Sequence, residues 1–299
     1  MQPNPVLAKL GLSAQDRAVI IHTDDIGMCQ ASVSAFAGLH AFGLISSGAI
    51  MVPCPWFLEA ARYARRNPTA DLGVHLTLTS EWETYRWGPV STRDPSSGLL
   101  DEQGCFHSRS AAVQLAADPA AVQRELEAQF DRAAAAGIRP THIDTHMGAV
   151  AHVRLMAAYL NLALSHGIPM LMARLDEAGF RALDLDGEAA AAAAEMVHQL
   201  EAMGIPLLDH IIGMPLDSAE ERLDRTIRAL DALEPGVTHF VIHPAEDTPE
   251  LRAITPDWPC RVADYRTFTS DELRHFLQGS GLHVIGYRAL QQLMPVAAG

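Results

Sequence analysis

Apolar runs of strand length alternate with helical segments from one end of the chain to the other. Strands that are buried on both faces of a parallel sheet appear as continuous apolar runs, and parallel neighbours need a long crossover, usually a helix. The alternation therefore predicts a parallel α/β architecture. The predicted strands are 19–23, 48–52, 72–78, 142–146, 169–173, 207–212, 237–242 and 283–287.

Capping signals mark several of the helices between these strands. Asp118 is placed to cap a helix whose first residue is Pro119, a position that proline favours. Ser218 and Glu221 have the spacing of a capping box, and Ser270 is placed to cap the last predicted helix. The predicted helices are 31–42, 56–66, 120–136, 153–165, 189–203, 218–233 and 270–277.

The alternation runs on without a long linker, so we expect a single domain over residues 1–299. We predict a distorted (β/α) barrel with about seven parallel strands, and a doubly wound open sheet is the alternative. Region 79–118 interrupts the pattern with Trp82, Tyr85, Trp87 and several glycines and prolines. It is predicted to be a long loop insertion, a kind of segment that often forms a functional lid.

The charge balance excludes some kinds of partner. The chain has 36 Asp and Glu against 22 Lys and Arg, a formal net charge of −14. Nucleic acids and anionic membranes attract basic patches, so neither is expected as a partner. No apolar stretch has the length of a membrane span. The four cysteines form no CxxC pair, so we expect reduced thiols in a cytoplasmic protein.

Polar side chains recur where predicted strands end. Asp24 and Asp25 end the first strand and His75 lies in the third. The fourth strand, 142–146, carries two histidines and an aspartate, and His243 follows the seventh. Because the carboxyl ends of barrel strands share one rim, where active sites are built from several strands, we expect these side chains to converge.

The fourth strand has the donor types of a metal site. His142, Asp144 and His146 have period two, so their side chains are predicted to face the same way. Imidazole and carboxylate suit a borderline divalent ion such as Zn²⁺. Of the adjacent pair Asp24 and Asp25, one can ligate the metal while the other acts as a base beside the bound water.

Four blocks in this order resemble the YdjC-like carbohydrate deacetylases, a group that includes chitooligosaccharide deacetylases and is distantly related to the polysaccharide deacetylases. The resemblance spans most of the chain, from about residue 19 to 287. The blocks are HTDDIG at 22–27, GVHLTL at 73–78, THIDTH at 141–146 and VIHP at 241–244.

This resemblance implies a distorted (β/α) barrel that uses one divalent metal to remove an acetyl group from an N-acetylated sugar. By position, Asp25, His75 and His146 match the metal ligands of the family. Asp24 matches its catalytic base and His243 its acid. The metal is expected to be Zn²⁺ or Mg²⁺, with Co²⁺ or Ni²⁺ as further candidates. The resemblance also allows a homodimer, for which the sequence itself shows no interface.

Other residues receive supporting roles. His142 and Asp144 are predicted to orient His146 or the metal-bound water. Arg174, which follows the fifth predicted strand, is a candidate for the pocket. Trp82 and Trp87 are read either as sugar-stacking residues of a lid or as anchors of the loop. Residues 258–266, which include Arg261 and Asp264, are either a substrate edge or an ordinary surface ion-pair cluster, and we favour the ion-pair cluster.

Alternative functions stay open. A metal-dependent amidohydrolase for a non-sugar N-acyl substrate requires the same site, and an inactive sugar-binding relative would keep the fold. Schiff-base chemistry is disfavoured because Lys9, the single lysine, precedes the first strand. Two histidines and one carboxylate also occur in iron oxygenases, although the β/α alternation is less typical of that class.

Overall fold

The computed structural model describes residues 3–295. Its seven strands are β1 (Arg17–Ile26), β2 (Ser47–Ile50), β3 (Leu72–Leu76), β4 (Ile143–Thr145), β5 (His210–Gly213), β6 (Gly236–Ile242) and β7 (Leu282–Val284). Its α-helices are α1 (Pro5–Lys9), α2 (Gln30–Phe42), α3 (Phe57–Arg66), α4 (Ser110–Ala116), α5 (Pro119–Ala135), α6 (Met156–His166), α7 (Glu177–Ala182), α8 (Gly187–Ala202), α9 (Arg222–Asp231), α10 (Pro249–Ile254), α11 (Trp258–Phe268), α12 (Asp271–Gly279) and α13 (Tyr287–Gln291).

The strands form one parallel sheet that curls into a barrel. Their order is β4-β3-β2-β1-β6-β5, and β7 pairs with the first half of β1. Segment 169–174 connects the two edges of this sheet: Met170 bridges to Ile143 in β4, and Ala173 bridges to Leu208 just before β5. The prediction of a distorted barrel with about seven parallel strands is therefore confirmed.

Most predicted elements are confirmed, with a few local exceptions. Asp118 and Ser270 cap α5 and α12 as predicted, each accepting a hydrogen bond from the first turn. The predicted capping box at Ser218 is wrong, because Glu221 adopts a left-handed backbone (φ 48°) and α9 begins only at Arg222. The predicted strand 169–173 is reduced to single bridges, and the last strand ends at Val284, before Tyr287 starts a helix.

The barrel has an apolar outer face, and its inner face becomes polar towards the carboxyl ends of the strands. On the outer face, Ile21 of β1 and Phe240 of β6 join helix residues in a buried apolar cluster. On the inner face, the rings of His22 and His239 from the same two strands lie 4.6 Å apart. Gly73 on β3 leaves room for a ring here, since a Cβ at this position would lie 2.5 Å from the ring of a buried histidine of the fourth block. Alternation along the strands thus directs polar groups inward.

The 79–118 insertion is fastened to the barrel. The indole nitrogen of Trp87 donates to the carbonyl of Thr79 at 2.8 Å, and the hydroxyl of Tyr85 donates to the carbonyl of Met28 at 2.6 Å. Trp87 is 4% exposed and belongs to the main apolar core.

Across residues 3–295, every helix falls short of the length and apolar character that a membrane crossing requires.

Candidate metal centre and active site

Two adjacent aspartates face the same site because the strand that carries them is interrupted. Successive strand residues normally point to opposite faces. The pairing of β1 with β2 shifts register between Thr23 and Ile26, and Asp25 adopts a left-handed backbone with φ 61°. Aspartate tolerates this conformation better than most residues. The irregularity turns Asp25 inward beside Asp24, so both carboxylates reach the rim.

Asp25, His75 and His146 converge with the spacing of a metal site. The Oδ1 of Asp25 lies 3.5 Å from Nε2 of His75 and 3.2 Å from Nδ1 of His146. The two histidine nitrogens are 3.3 Å apart. Ligands at about 2.1 Å from a tetrahedral Zn²⁺ lie about 3.4 Å from one another, so this triangle fits such an ion.

Each of the three side chains is held by a partner on its other polar atom. The Nη1 of Arg261 donates to Oδ2 of Asp25 at 2.7 Å. His75 and His146 have carboxylates next to their second nitrogens, a common arrangement for metal-binding histidines. These carboxylates are Asp144, 2.8 Å from Nδ1 of His75, and Glu81, 3.1 Å from Nε2 of His146.

Carboxylates are concentrated around the triangle. Asp24, Asp25, Glu81 and Asp144 bring four carboxylates together, and Arg261 is the one guanidinium paired with this group among residues 3–295. Burial alone would raise the pKa of Asp25, but Arg261 and the two histidines hold it well below its usual value. Asp25 is therefore ionised, and the donor set fits a divalent metal ion.

Asp24 and His243 lie next to this triangle. The β1–β6 register pairs Thr23 with Ile242, so the following residues, Asp24 and His243, are neighbours. The Oδ2 of Asp24 is 3.7 Å from Nε2 of His243 and 3.8 Å from Nε2 of His75. Burial would raise the pKa of Asp24, but His75 and His22 outweigh it and lower the pKa. A carboxylate and an imidazole thus stand together at the edge of the metal site.

Below the site, the barrel interior is filled by stacked polar rings. His142 stacks on Tyr287 with 3.9 Å between ring centroids, and the Tyr287 hydroxyl lies 2.9 Å from Nδ1 of His239. The Nε2 of His22 lies 2.9 Å from Oδ2 of Asp144 and 3.2 Å from Oδ1 of Asp24. His142 therefore lies at the barrel floor, apart from the metal triangle.

Other predicted site residues take different places. Arg174 is 6% exposed and pairs with Glu201 and Asp209, two residues outside the metal triangle. Trp87 anchors the loop, and the ring of Trp82 lies 5.8 Å from the guanidinium carbon of Arg261. Contacts of Arg174, Trp82 and Trp87 with substrate stay predictions.

The interpretation of residues 258–266 as surface ion pairs is wrong. Arg261 is 3% exposed and Asp264 is fully buried, because α11 packs against the barrel rim with these side chains inward. Asp264 accepts hydrogen bonds from Nε of Arg222 at 2.6 Å and from the backbone nitrogen of His243 at 3.1 Å. The sequence did not predict that Arg261 pairs with Asp25 or that Glu81 contacts His146, since no local pattern marks a partner that is distant in the chain.

The chelated protein is expected to be most stable near pH 6.5, the ordinary pKa of histidine. Burial would lower the pKa of His22, but Asp144 and Asp24 raise it to about 9. Burial and the neighbouring His22 lower the pKa of His239 to about 3. Above pH 6.5 the folded state loses the stabilisation from protonated His22 as pH rises towards 9. Below pH 6.5 the unfolded state binds a proton that folded His239 does not, so stability falls.

Urea unfolding across this pH range checks the expectation. Each histidine contributes a slope of up to about 1.4 kcal/mol per pH unit. His142 adds to the acid side, because burial also lowers its pKa. His239→Asn offers Tyr287 an amide in place of the ring nitrogen and is expected to flatten the acid side without changing the alkaline side. Equal acid slopes in the two proteins would contradict the assignment.

These features define the class: a parallel (β/α)-barrel protein with a carboxylate and two imidazoles at the strand ends, flanked by a second carboxylate and a further histidine. The profile of the YdjC-like protein family matches residues 18–279. The chain belongs to that family.

Relatives span nearly the whole chain. A protein named carbohydrate deacetylase from Thermus thermophilus is 35% identical over 290 residues, which is 97% of this chain and 99% of the relative. One of the same name from Thermoanaerobacter pseudethanolicus is 23% identical over 273 residues, covering 91% and 99%. A crystal structure from Enterococcus faecalis, named for a proposed cellobiose-phosphate cleavage, has a TM-score of 0.71 at 24% identity, covering 92% and 99%. At this identity the last likeness concerns the fold alone.

Proposed function

We propose that this protein is a metal-dependent hydrolase that removes the N-acetyl group from an acetylated amino sugar or small oligosaccharide. The observation that carries the proposal is the triangle of Asp25, His75 and His146 with Asp24 and His243 at its edge. A divalent metal held there would polarise the acetamide carbonyl and lower the pKa of a bound water. Two imidazoles and one carboxylate suit Zn²⁺, Co²⁺ or Ni²⁺ better than Mg²⁺, which prefers oxygen ligands.

Asp24 has the properties of the general base. Its side chain is 16% exposed, which leaves a path for substrate, and its lowered pKa keeps it ionised and able to accept a proton. The Nε2 of His22 lies 3.2 Å from Oδ1, on the side away from His243. Oδ2 is thus the oxygen oriented towards the metal site and His243, where water and substrate would meet.

His243 has the position of the general acid. The amine that leaves an amide needs a proton as the C–N bond breaks, and an imidazole supplies one near neutral pH. His243 directly follows β6 and precedes Pro244, and its backbone nitrogen donates to buried Asp264. Its side chain is 21% exposed. The backbone of His243 is therefore fixed, and its ring is accessible to an incoming substrate.

Relatives support the substrate class. The Thermus and Thermoanaerobacter proteins carry the name carbohydrate deacetylase and cover over nine-tenths of this chain. An aromatic segment with Trp82 and Tyr85 lies near the metal triangle, and aromatic faces stack on the apolar faces of sugars. The proposed substrate is therefore a class, the N-acetylated amino sugars and their short oligomers.

Acetate release with chelated and metal-restored protein tests the proposal. Substrates would include N-acetylglucosamine, its short oligomers and N-acetyl amino acids, each with Zn²⁺, Co²⁺, Ni²⁺ or Mg²⁺ added. We expect metal-restored release from the sugars. Release from the amino acids alone would retain the hydrolase and overturn the sugar. Tight metal binding without release from any substrate would favour an inactive binding protein.

A further inference from the structure

The loop insertion reaches the metal triangle at one polar contact. The Oε2 of Glu81 lies 3.1 Å from Nε2 of His146. The other ring nitrogen, Nδ1, is the atom that faces Asp25 and His75 at 3.2 and 3.3 Å. If Nε2 carries the hydrogen and donates it to Glu81, Nδ1 keeps its lone pair for a metal. A carboxylate in this position fixes both the tautomer and the ring orientation.

The backbone before Glu81 is held on several sides. Thr79 and Ser80 are fully buried. The backbone nitrogen of Ser80 donates to the carbonyl of His107 at 2.9 Å, and the Ser80 hydroxyl oxygen accepts from the backbone nitrogen of Trp87 at 3.0 Å. The backbone is thus ordered up to Glu81, whose side chain is 18% exposed. Because the preceding backbone is already ordered, binding of the carboxylate to the ring costs mainly the rotamer freedom of the Glu81 side chain.

The next loop residue supports a second ligand. The indole ring of Trp82 lies 5.8 Å from the guanidinium carbon of Arg261, which in turn donates to Asp25 at 2.7 Å. Two consecutive loop residues therefore act on two different proposed ligands: Glu81 contacts His146 directly, and Trp82 contacts Arg261, which holds Asp25. A lid that opened fully would break both contacts, so this part of the insertion belongs to the walls of the site.

We propose that Glu81 is a positioning residue of the metal centre, which binds His146 through Nε2 and so raises the affinity of the site for a divalent metal. The inference rests on the proposed metal-dependent function. It also assigns a role to the insertion, whose beginning holds a ligand in place. Loss of such an outer carboxylate commonly weakens metal binding about 10- to 100-fold.

Metal affinity of three variants tests the role of Glu81. Zn²⁺ affinity would be measured at one pH by competition with a chromogenic chelator, which needs no activity. We expect Glu81→Ala to bind about 10- to 100-fold more weakly than wild type. Glu81→Gln should fall in between, because an amide oxygen still accepts the hydrogen bond without the negative charge. The matched control, Glu83→Gln, removes an equal charge from an exposed position two residues along the loop and should bind like wild type.

The outcomes separate this inference from the proposed function. Wild-type protein that binds no divalent metal would overturn both. Wild-type protein that binds metal, together with an equally tight Glu81→Ala variant, would overturn the role of Glu81 alone. Equal weakening by Glu81→Gln and Glu83→Gln would attribute the effect to net charge and also reject the contact. Thermal unfolding of the chelated variants shows whether the fold is retained. If a Glu81 variant loses stability but keeps its metal affinity, Glu81 has a structural role only.

Discussion

Replacement of Asp24 with asparagine is expected to lower kcat for acetate release about 10²- to 10⁴-fold, the range for loss of a general base. Asparagine has nearly the same shape and keeps an oxygen for His22, 3.2 Å away in the native protein. It cannot accept a proton from water. Because Asp24 lies outside the triangle of Asp25, His75 and His146, the variant should retain its metal.

Metal content and kcat measured on the same samples separate the two aspartates. Asp25→Asn serves as the comparison, since it weakens a proposed ligand and should lose metal as well as activity. If Asp24→Asn keeps its metal and turns over within a few-fold of wild type, Asp24 is not the base. His243, 3.7 Å away, would then be the next residue to test as proton acceptor.

Replacement of Arg261 with methionine is expected to lower the free energy of unfolding of the chelated protein by about 3–5 kcal/mol, the range for breaking a buried ion pair. Arg261 is 3% exposed and Asp25 is 2% exposed. Methionine fills much of the same volume but leaves the carboxylate of Asp25 without its permanent opposite charge. Bound divalent metal would replace that charge, so the loss should be smaller with saturating Zn²⁺.

Urea unfolding with and without metal measures both effects. Arg252→Met is the matched control: Arg252 is 53% exposed and pairs with Asp247, an exposed pair that contributes at most about 1 kcal/mol. Its guanidinium also lies over the ring of Trp258, 4.4 Å from the centroid, so a small packing effect is included. A chelated Arg261→Met protein within about 1 kcal/mol of wild type would show that Asp25 is compensated by other groups.

Much of the site follows from strand ends. Parallel strands place their carboxyl ends on one rim, so a sequence that puts His75, His146 and His243 at such ends predicts their convergence. The period of two in 142–146 also predicts correctly that His142, Asp144 and His146 face inward. The period does not predict how deep each side chain lies in the barrel. His142 lies on the barrel floor beside Tyr287, while His146 reaches the metal triangle.

The sequence by itself determined most of the alternation of strands and helices, the barrel class and the donor types at the rim, because apolar periodicity and capping are local properties of the chain. Tertiary structure alone decided that Asp25 turns inward at φ 61° and that Arg261, 236 residues away, pairs with it. It also decided that Glu81 reaches His146. These contacts join segments that are distant in sequence, and only the closed barrel sets the distances between them.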